Sequence, residues 1–258
     1  MKSVFAVVAI CLIYTCTAFG QWTKDPAKID PSASAPRTAD GKIDLSGVWL
    51  PDVDPKGAPL GVEHQVFSQY FVDITAGMKP ADVPILPAAR ELLMKRLQSN
   101  GTDSPQAHCK PSGIPWANSI PLPYKIVQTP QLILILYEEN SIFRQVFMNG
   151  RQPVKDPEPR WMGYSTGRWD GDTLVVETTG FNDQTWLDAM GHPHSTDLRL
   201  TERFRRRDAG HLDIDVTIND PKSYSKPITY TQKTTLQSGE DLLEYFCTEN
   251  EKDVQSFK

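Results

Sequence analysis

The residues with the clearest chemical potential are two histidines, His192 and His194, which flank a proline within the segment 181–195. Alternate residues of an extended chain project to the same side, so both imidazoles can converge on one point. Asp188 lies four residues before His192 and can orient an imidazole ring. Because imidazole titrates near neutral pH, these residues predict an acid–base site with His192 or His194 as the base.

The same three groups have two competing interpretations. Two histidines and a carboxylate suit a divalent metal with further positions left open, so His192, His194 and Asp188 are the ligands if a metal is bound. No residue stands at a fixed spacing as a further ligand, and we therefore predict no cofactor, with a divalent metal as the alternative. In the structural interpretation, these histidines belong to a polar loop in which they cap turns or bond to the backbone.

Three charged residues are candidates for a site inside the fold. Glu177 follows the apolar run 174–176, and Glu202 lies among apolar residues of its own segment. An acid on the apolar face of a strand must find a partner or shift its pKa, and Arg144 is a candidate partner. Charges inside a barrel mark either a ligand cavity or a closing salt bridge, and both interpretations stay open here.

Aromatic residues near these groups could bind the ring of a substrate. Trp161, Tyr164 and Trp186 are candidates for stacking on a sugar, a polyketide-like ring or a terpenoid. Core packing is the competing interpretation for Trp161 and Tyr164, whereas Trp186 is the exception because its neighbours Gln184, Thr185 and Asp188 are polar.

Strands must position most of these groups, because from Tyr124 onward apolar residues recur with a period of two between short turns. The clearest hairpin joins 162–169 to 172–179 through Asp170-Gly171, a pair typical of type I′ turns. The other predicted strands cover 43–49, 124–129, 131–138, 141–148, 197–207, 211–219, 227–236 and 241–247.

Consecutive hairpins favour a meander, and a long meander curls into a barrel. We therefore predict an all-β fold, an antiparallel meander that closes into a lipocalin-like β-barrel or a strongly curved sheet. One short helix is expected over 88–98, where a proline precedes an apolar stripe at i, i+4 spacing. A proline-rich N-terminal arm over 21–60, with a first strand in it, precedes the barrel-like domain 61–258.

The first 20 residues read as a secretory signal peptide, with a basic start, a short apolar core and a small-residue end. The apolar run is too short to span a bilayer, so we expect a secreted or periplasmic protein that does not span the membrane. Cleavage leaves two cysteines, Cys109 and Cys247, for which we predict one disulfide, with separate thiols as the alternative.

The formal net charge of −5 argues against nucleic acid as a partner and leaves a small molecule as the expected one. The sequence contains no P-loop and no G-x-G-x-x-G motif. It gives no indication of the oligomeric state.

Several strings in the chain resemble a group of exported bacterial proteins that is common in soil bacteria such as acidobacteria. They are GRWDGDTLVVETTGFND at 167–183, PYKIVQTP at 123–130, FRQVFMNGR at 143–151, TERFRRRDAGHLDIDVTINDPKSY at 201–224 and PRTADGKIDLSGVW at 36–49. The resemblance covers about residues 36–253 and implies export without implying any catalytic residue. Separately, Gly47-Val48-Trp49 resembles the first-strand signature of lipocalins, which agrees with a meander barrel.

Three functions follow from these features. The first is an exported β-barrel enzyme that performs cofactor-independent acid–base chemistry on a small, partly hydrophobic molecule, by isomerisation, cyclisation, elimination or hydrolysis. In it Glu177, Glu202 and Arg144 polarise the substrate and the aromatic residues bind it. The second is a lipocalin-like binding protein for a small hydrophobic ligand, and the third is a non-catalytic surface-interaction domain.

Overall fold

The computed structural model describes residues 29–52, 73–151 and 157–247. The predicted signal peptide 1–20 lies outside the described residues. The strands are β1 Gly47–Pro51, β2 Tyr124–Gln128, β3 Leu132–Tyr137, β4 Phe143–Phe147, β5 Tyr164–Asp170, β6 Thr173–Thr179, β7 Arg199–Arg206, β8 His211–Asn219 and β9 Ile228–Leu236. The helix α1 is Pro87–Gln98, and short 3₁₀ helices cover Gln106–His108, Trp116–Asn118 and Glu139–Ser141.

The strands form a closed β-barrel in chain order, and β9 returns to pair with β1. The prediction of an all-β barrel with one short helix is confirmed. One neighbouring pair departs from the antiparallel pattern: β4 and β5 are parallel and meet at Val146–Ser165 and Phe147–Thr166. A parallel pair needs a long connection rather than a tight turn, and residues 148–163 separate β4 from β5 in the sequence.

The predicted hairpin between β5 and β6 is confirmed, with a shift of one residue in its turn. Asp170 pairs with Thr173, so the two loop residues are Gly171 and Asp172. Only Gly171 of these has a positive φ, 59°. This is the pattern of a type II′ turn, which places glycine first, rather than of the predicted type I′ turn.

The predicted last strand over 241–247 is wrong, because this segment has no regular secondary structure. The reason is the closure of the barrel: β9 already pairs with β8 on one side and with β1 on the other, so it has no free edge. Cys247 instead bonds to Cys109 across a Cα–Cα distance of 5.4 Å, which confirms the predicted disulfide.

The first strand is β1, within the arm where the sequence places it. At Gly47 the backbone has a φ of 144°, and a Cβ there would lie 2.5 Å from a methyl carbon of Leu236, so only glycine fits. Trp49 points into the barrel and is fully buried. The guanidinium of Arg206 lies 4.9 Å from its ring and donates to the carbonyl of Asp44, which closes this end of the barrel.

The barrel interior is filled by side chains. Residues of alternating positions on β2, β3, β6, β7, β8 and β9 form one buried apolar cluster, and the largest fully buried members include Trp49, Tyr124, Phe204 and Ile135. Arg144 is fully buried among them. The barrel is therefore a packed scaffold.

Helix α1 lies outside the barrel. Pro87 occupies its first turn, and its buried face contains Ala89, Leu93 and Arg96, whereas Leu92 is exposed. The backbone N–H of Leu86 donates to the carbonyl of Ser223 at 2.9 Å, which ties the start of the helix to the β8–β9 connection. Among the described residues, no helix has the length and apolarity needed to cross a bilayer.

Candidate active site and an adjoining cleft

The connection between β6 and β7, residues 180–198, contains the residues predicted to do chemistry. One carboxylate oxygen of Asp188 accepts from the backbone N–H groups of Met190 at 3.1 Å and His192 at 3.2 Å. Side-chain to backbone bonds of this kind let aspartate stabilise a tight turn without a helix or a sheet. Gly191 has a φ of 91° within this turn. The turn brings the Asp188 and His192 side chains together.

Asp188 and His192 form a buried hydrogen-bonded pair. The Nδ1 atom of His192 lies 2.6 Å from Oδ2 of Asp188, and that oxygen also accepts from the backbone N–H of Ile74 at 2.9 Å. Both side chains are fully buried. A carboxylate at Nδ1 fixes the proton there, so that the neutral ring presents Nε2 as an acceptor. Within the described part of the chain, Nε2 has no hydrogen-bond partner.

The environment favours the protonated form of His192. Burial opposes the imidazolium charge, but the charge of Asp188 and its hydrogen bond outweigh burial and raise the pKa of His192 above its ordinary value. The ring therefore binds a proton more readily than a free imidazole does, and the neutral ring that can act as a base predominates only above this raised pKa.

Asp73 is a third member of this cluster, and the sequence did not indicate it. Ligand-type atoms of Asp73, Asp188 and His192 all lie within 4.8 Å of one another. Asp73 accepts from the backbone N–H and from the hydroxyl of Thr75, each at 2.7 Å. Burial and the nearby charge of Asp188 raise the pKa of Asp73. Two carboxylates and an imidazole could hold a divalent cation, but Nδ1 of His192 already bonds to Asp188, and a cation would have to replace that hydrogen bond.

His194 does not join this cluster, so the structure does not show the predicted convergence of the two imidazoles. Its Nε2 lies 2.6 Å from the hydroxyl of Thr185, and its Nδ1 lies 3.0 Å from the carbonyl oxygen of Ser195. The ring packs edge-on against Phe181 at 6.0 Å between centroids. Burial lowers the pKa of His194. Both ring nitrogens thus have protein partners, as in the structural interpretation of this loop.

Arg144 and Glu202 form an ion pair inside the barrel. Nη1 of Arg144 donates to Oε1 of Glu202 at 3.1 Å, and Nη2 contacts the other carboxylate oxygen more closely. Nε donates to the Ser165 hydroxyl at 2.9 Å and Nη2 to the Thr178 hydroxyl at 2.7 Å, while the side-chain amide of Asn118 donates to Glu202 at 2.7 Å. Partners within the protein satisfy both groups, which favours the closing salt bridge over the ligand cavity.

Glu177 lies on the outer face of the barrel, so its predicted position on the apolar face is wrong. Its carboxylate is half exposed and 3.9 Å from the guanidinium of Arg168. The apolar run before Glu177 gave the wrong prediction because Val175, which shares the outer face with Glu177, is also buried. Strands that are covered on both faces lose the alternation on which the prediction depended.

The three predicted stacking residues are not brought together. Trp161 lies 5.9 Å from the ammonium of Lys110, and the Tyr164 ring stacks on Phe147 at 5.2 Å. Neither lines the cleft described next, whereas Trp186 does.

This cleft lies outside the barrel, between α1, the 3₁₀ helix Trp116–Asn118 and the 180–198 loop. It has a volume of about 180 Å³. The rings of Trp116 and Trp186 are parallel within 10°, with centroids 5.8 Å apart, and the guanidinium carbon of Arg96 lies 5.0 Å from the Trp186 ring. Ala189 and Met190, which separate Asp188 from His192 in the chain, also line the cleft.

Fold and site together define a nine-stranded β-barrel protein with a filled interior, a buried aspartate–histidine pair and an aromatic-lined cleft on its outside. Comparison with protein-family models found no match, and searches of curated proteins and of solved structures found none either. The resemblances to exported bacterial proteins and to the lipocalin signature therefore stay predictions.

Proposed function

We propose that this protein is an exported enzyme that performs acid–base chemistry on a small, partly hydrophobic molecule, with His192 as the proton-transfer residue and Asp188 as its orienting carboxylate. The observation that carries the proposal is the buried Nε2 atom of His192, which lacks a partner in the described part of the chain while Asp188 holds Nδ1. Buried polar atoms are nearly always hydrogen-bonded, and exceptions mark catalytic groups among other causes.

The geometry supports His192 over His194 as the base. A general base needs an unoccupied nitrogen lone pair within reach of the proton it takes. Protein groups occupy both nitrogens of His194, and burial lowers its pKa, so His194 is the weaker base. Above its raised pKa the His192 ring is neutral and keeps its Nε2 lone pair available, and Asp188 stabilises the imidazolium that forms after proton transfer.

The reaction class is isomerisation, cyclisation, elimination or hydrolysis, and each begins with a proton moving from substrate or water to Nε2. The substrate would approach from the cleft, because Ala189 and Met190 line it and belong to the turn that joins Asp188 to His192. His192 is fully buried, so this turn has to move for a substrate to reach Nε2. Such gating by a loop is common in enzymes that exclude water from the reacting centre.

Export is supported by the disulfide between Cys109 and Cys247. Disulfides form and persist mainly in oxidising compartments such as the periplasm and the extracellular space. The predicted signal peptide is consistent with this location.

The test uses a panel of small hydroxy, keto and unsaturated carboxylic acids in D₂O, with turnover and deuterium incorporation followed by mass spectrometry. Loss of the base should lower the rate by about 100-fold or more in His192→Gln. His194→Gln is the matched control, because it removes a second buried imidazole from the same loop. A larger loss in His194→Gln would assign the base to His194. Absence of turnover and exchange with the wild-type protein would contradict the enzyme proposal.

A lipocalin-like binding protein is the second candidate. It is favoured by the position of Gly47, Val48 and Trp49 on the first strand of a closed barrel. Because side chains fill the barrel, its ligand would occupy the external cleft. This candidate predicts binding without deuterium exchange.

A further inference from the structure

We infer that the cleft between α1 and the 180–198 loop is a binding site for a small aromatic carboxylate, a molecule with one ring and one anionic group. The inference does not rest on His192 being catalytic, since the cleft presents its own recognition groups. Trp116, Arg96 and Ala189 were not among the sequence-predicted site residues.

The aromatic part of the ligand is indicated by the two tryptophans. Trp116 and Trp186 lie parallel with centroids 5.8 Å apart, an offset stack, and both line the cleft. They form a small apolar cluster that is separate from the barrel core, with Ile120 as the third buried member. Aromatic rings stack on such surfaces at offset or edge-to-face geometry. Leu97 and Met190 extend the apolar lining.

The anionic part is indicated by Arg96. Of its nitrogens, only Nη1 is hydrogen-bonded within the described residues, to the carbonyl of Gly191 at 3.0 Å. Burial lowers the pKa of Arg96, and the charges of Asp103 and Asp188 oppose this effect without outweighing it. None of the described residues that line the cleft is acidic. A planar guanidinium matches a carboxylate in a two-point geometry, so a ligand carboxylate in the cleft would bond to the remaining nitrogens of Arg96.

A second donor without a partner belongs to Trp116, one of the residues that line the cleft. The indole Nε1–H of Trp116 is buried and has no acceptor within the described part of the chain. Buried indole N–H groups usually find an acceptor, so this one is a candidate partner for a ligand oxygen. It is independent of Arg96, since it belongs to a different segment of the chain.

The volume limits the ligand to a single ring. The cleft measures about 180 Å³. A cavity of about 150 Å³ accommodates benzene, so one ring with a carboxylate fits. Gln106 and Ser104 place polar groups in the lining, where a ring substituent could bond.

The test is a titration of the full chain with benzoate, followed by the indole ¹⁵N–¹H resonances in NMR. Trp116→Phe and Trp186→Phe assign the two signals. We expect benzoate to shift both with a dissociation constant below about 1 mM, as suits a ligand of this size. Benzyl alcohol, which keeps the ring, and acetate, which keeps the charge, should each bind about tenfold more weakly or worse. Equal shifts with all three probes, or none with benzoate at about 10 mM, would overturn the inference.

Variants locate the binding. Arg96→Gln should weaken benzoate binding about tenfold or more, whereas Lys95→Gln, which removes the same charge from an exposed neighbour, should leave it unchanged. Ala189→Leu fills the cleft without changing charge and should abolish binding, which keeps the inference testable if Arg96→Gln fails to fold. Benzoate binding that survives both cleft variants would contradict it. These variants retain His192, so their outcome is separate from that of the enzyme proposal.

Discussion

Asp188 Oδ2 lies 2.6 Å from His192 Nδ1, with both side chains sealed from solvent, while His194 two residues later bonds to Thr185 instead. One short loop thus places two imidazoles in opposite electrostatic settings. Asp188 raises the pKa of the first against the opposing effect of burial, and burial lowers the pKa of the second.

The two histidines should therefore titrate on opposite sides of 6.5, the ordinary histidine value. Ring ¹⁵N chemical shifts followed by NMR across pH will give both midpoints. Asp188→Asn should move the His192 midpoint downward, because it removes the stabilising charge, and should leave the His194 midpoint nearly in place. Coincident midpoints for the two rings would contradict the assigned environments.

The contribution of His192 to the free energy of unfolding should decrease as the pH rises. Its pKa is raised by folding, so its contribution is fully present below 6.5 and is lost as the pH rises through the folded-state pKa. Urea unfolding of wild type and His192→Gln between about pH 5.5 and 8.5 measures this contribution as a difference. The advantage of wild type should be largest at the acid end. A stability advantage of wild type over His192→Gln that increases with pH would contradict this prediction.

The Arg144–Glu202 ion pair should be structural. Glu202→Gln leaves a buried guanidinium without its countercharge and should lower the free energy of unfolding by about 3–5 kcal/mol. Replacing both partners, in Arg144→Met with Glu202→Leu, should recover much of that loss. Glu177→Gln, in a half-exposed pair with Arg168, is the control and should change stability by less than about 1 kcal/mol. Equal losses of stability in Glu202→Gln and Glu177→Gln would contradict the structural role of the buried pair.

The disulfide closes a long loop, since Cys109 and Cys247 are 138 positions apart. In the chain-entropy model, its loss destabilises the folded state by about 5 kcal/mol. Denaturant unfolding of the double serine variant should show a reduction of that order. Adding reductant to the wild-type protein should produce the same decrease, and the double variant should not respond to it. A wild-type midpoint that is insensitive to reductant would count against the prediction.

Substitution of Gly113 should destabilise the fold for two reasons, its positive φ and its close approach to the Thr185 side chain. It has a φ of 80°, and an added Cβ would lie 2.6 Å from the side chain of Thr185, the partner of His194. Gly77 has the same φ and open space around it. Gly77→Ala should cost about 1 kcal/mol, and Gly113→Ala should cost clearly more and perturb the His194 resonance. Similar costs for the two variants would show that the contact is unimportant.

Local patterns account for much of what the sequence predicted. The period of two and the Asp170-Gly171 signal depend on neighbouring residues, and they correctly predicted the β5–β6 hairpin and the barrel. The four-residue spacing of Asp188 and His192 was equally local, and these residues do form a pair.

The failures involve contacts between distant segments. Asp73 reaches Asp188 from a distant segment of the chain, and nothing in its own segment marks it. Trp116 meets Trp186 because a proline-rich loop folds onto the 180–198 connection, which no periodicity encodes. Glu177 was misplaced because Val175 is buried on the outer face, where the alternating pattern expects a polar residue.

The parallel contact of β4 with β5 is the least extensive junction of the barrel, with only two paired positions. Arg144 belongs to β4, and its guanidinium bonds to Ser165 on β5, Thr178 on β6 and Glu202 on β7. One side chain thus fastens four consecutive strands across that junction. The barrel should consequently open as a unit, and the hydrogen-bonded amides of β4 and β5 should exchange through global unfolding.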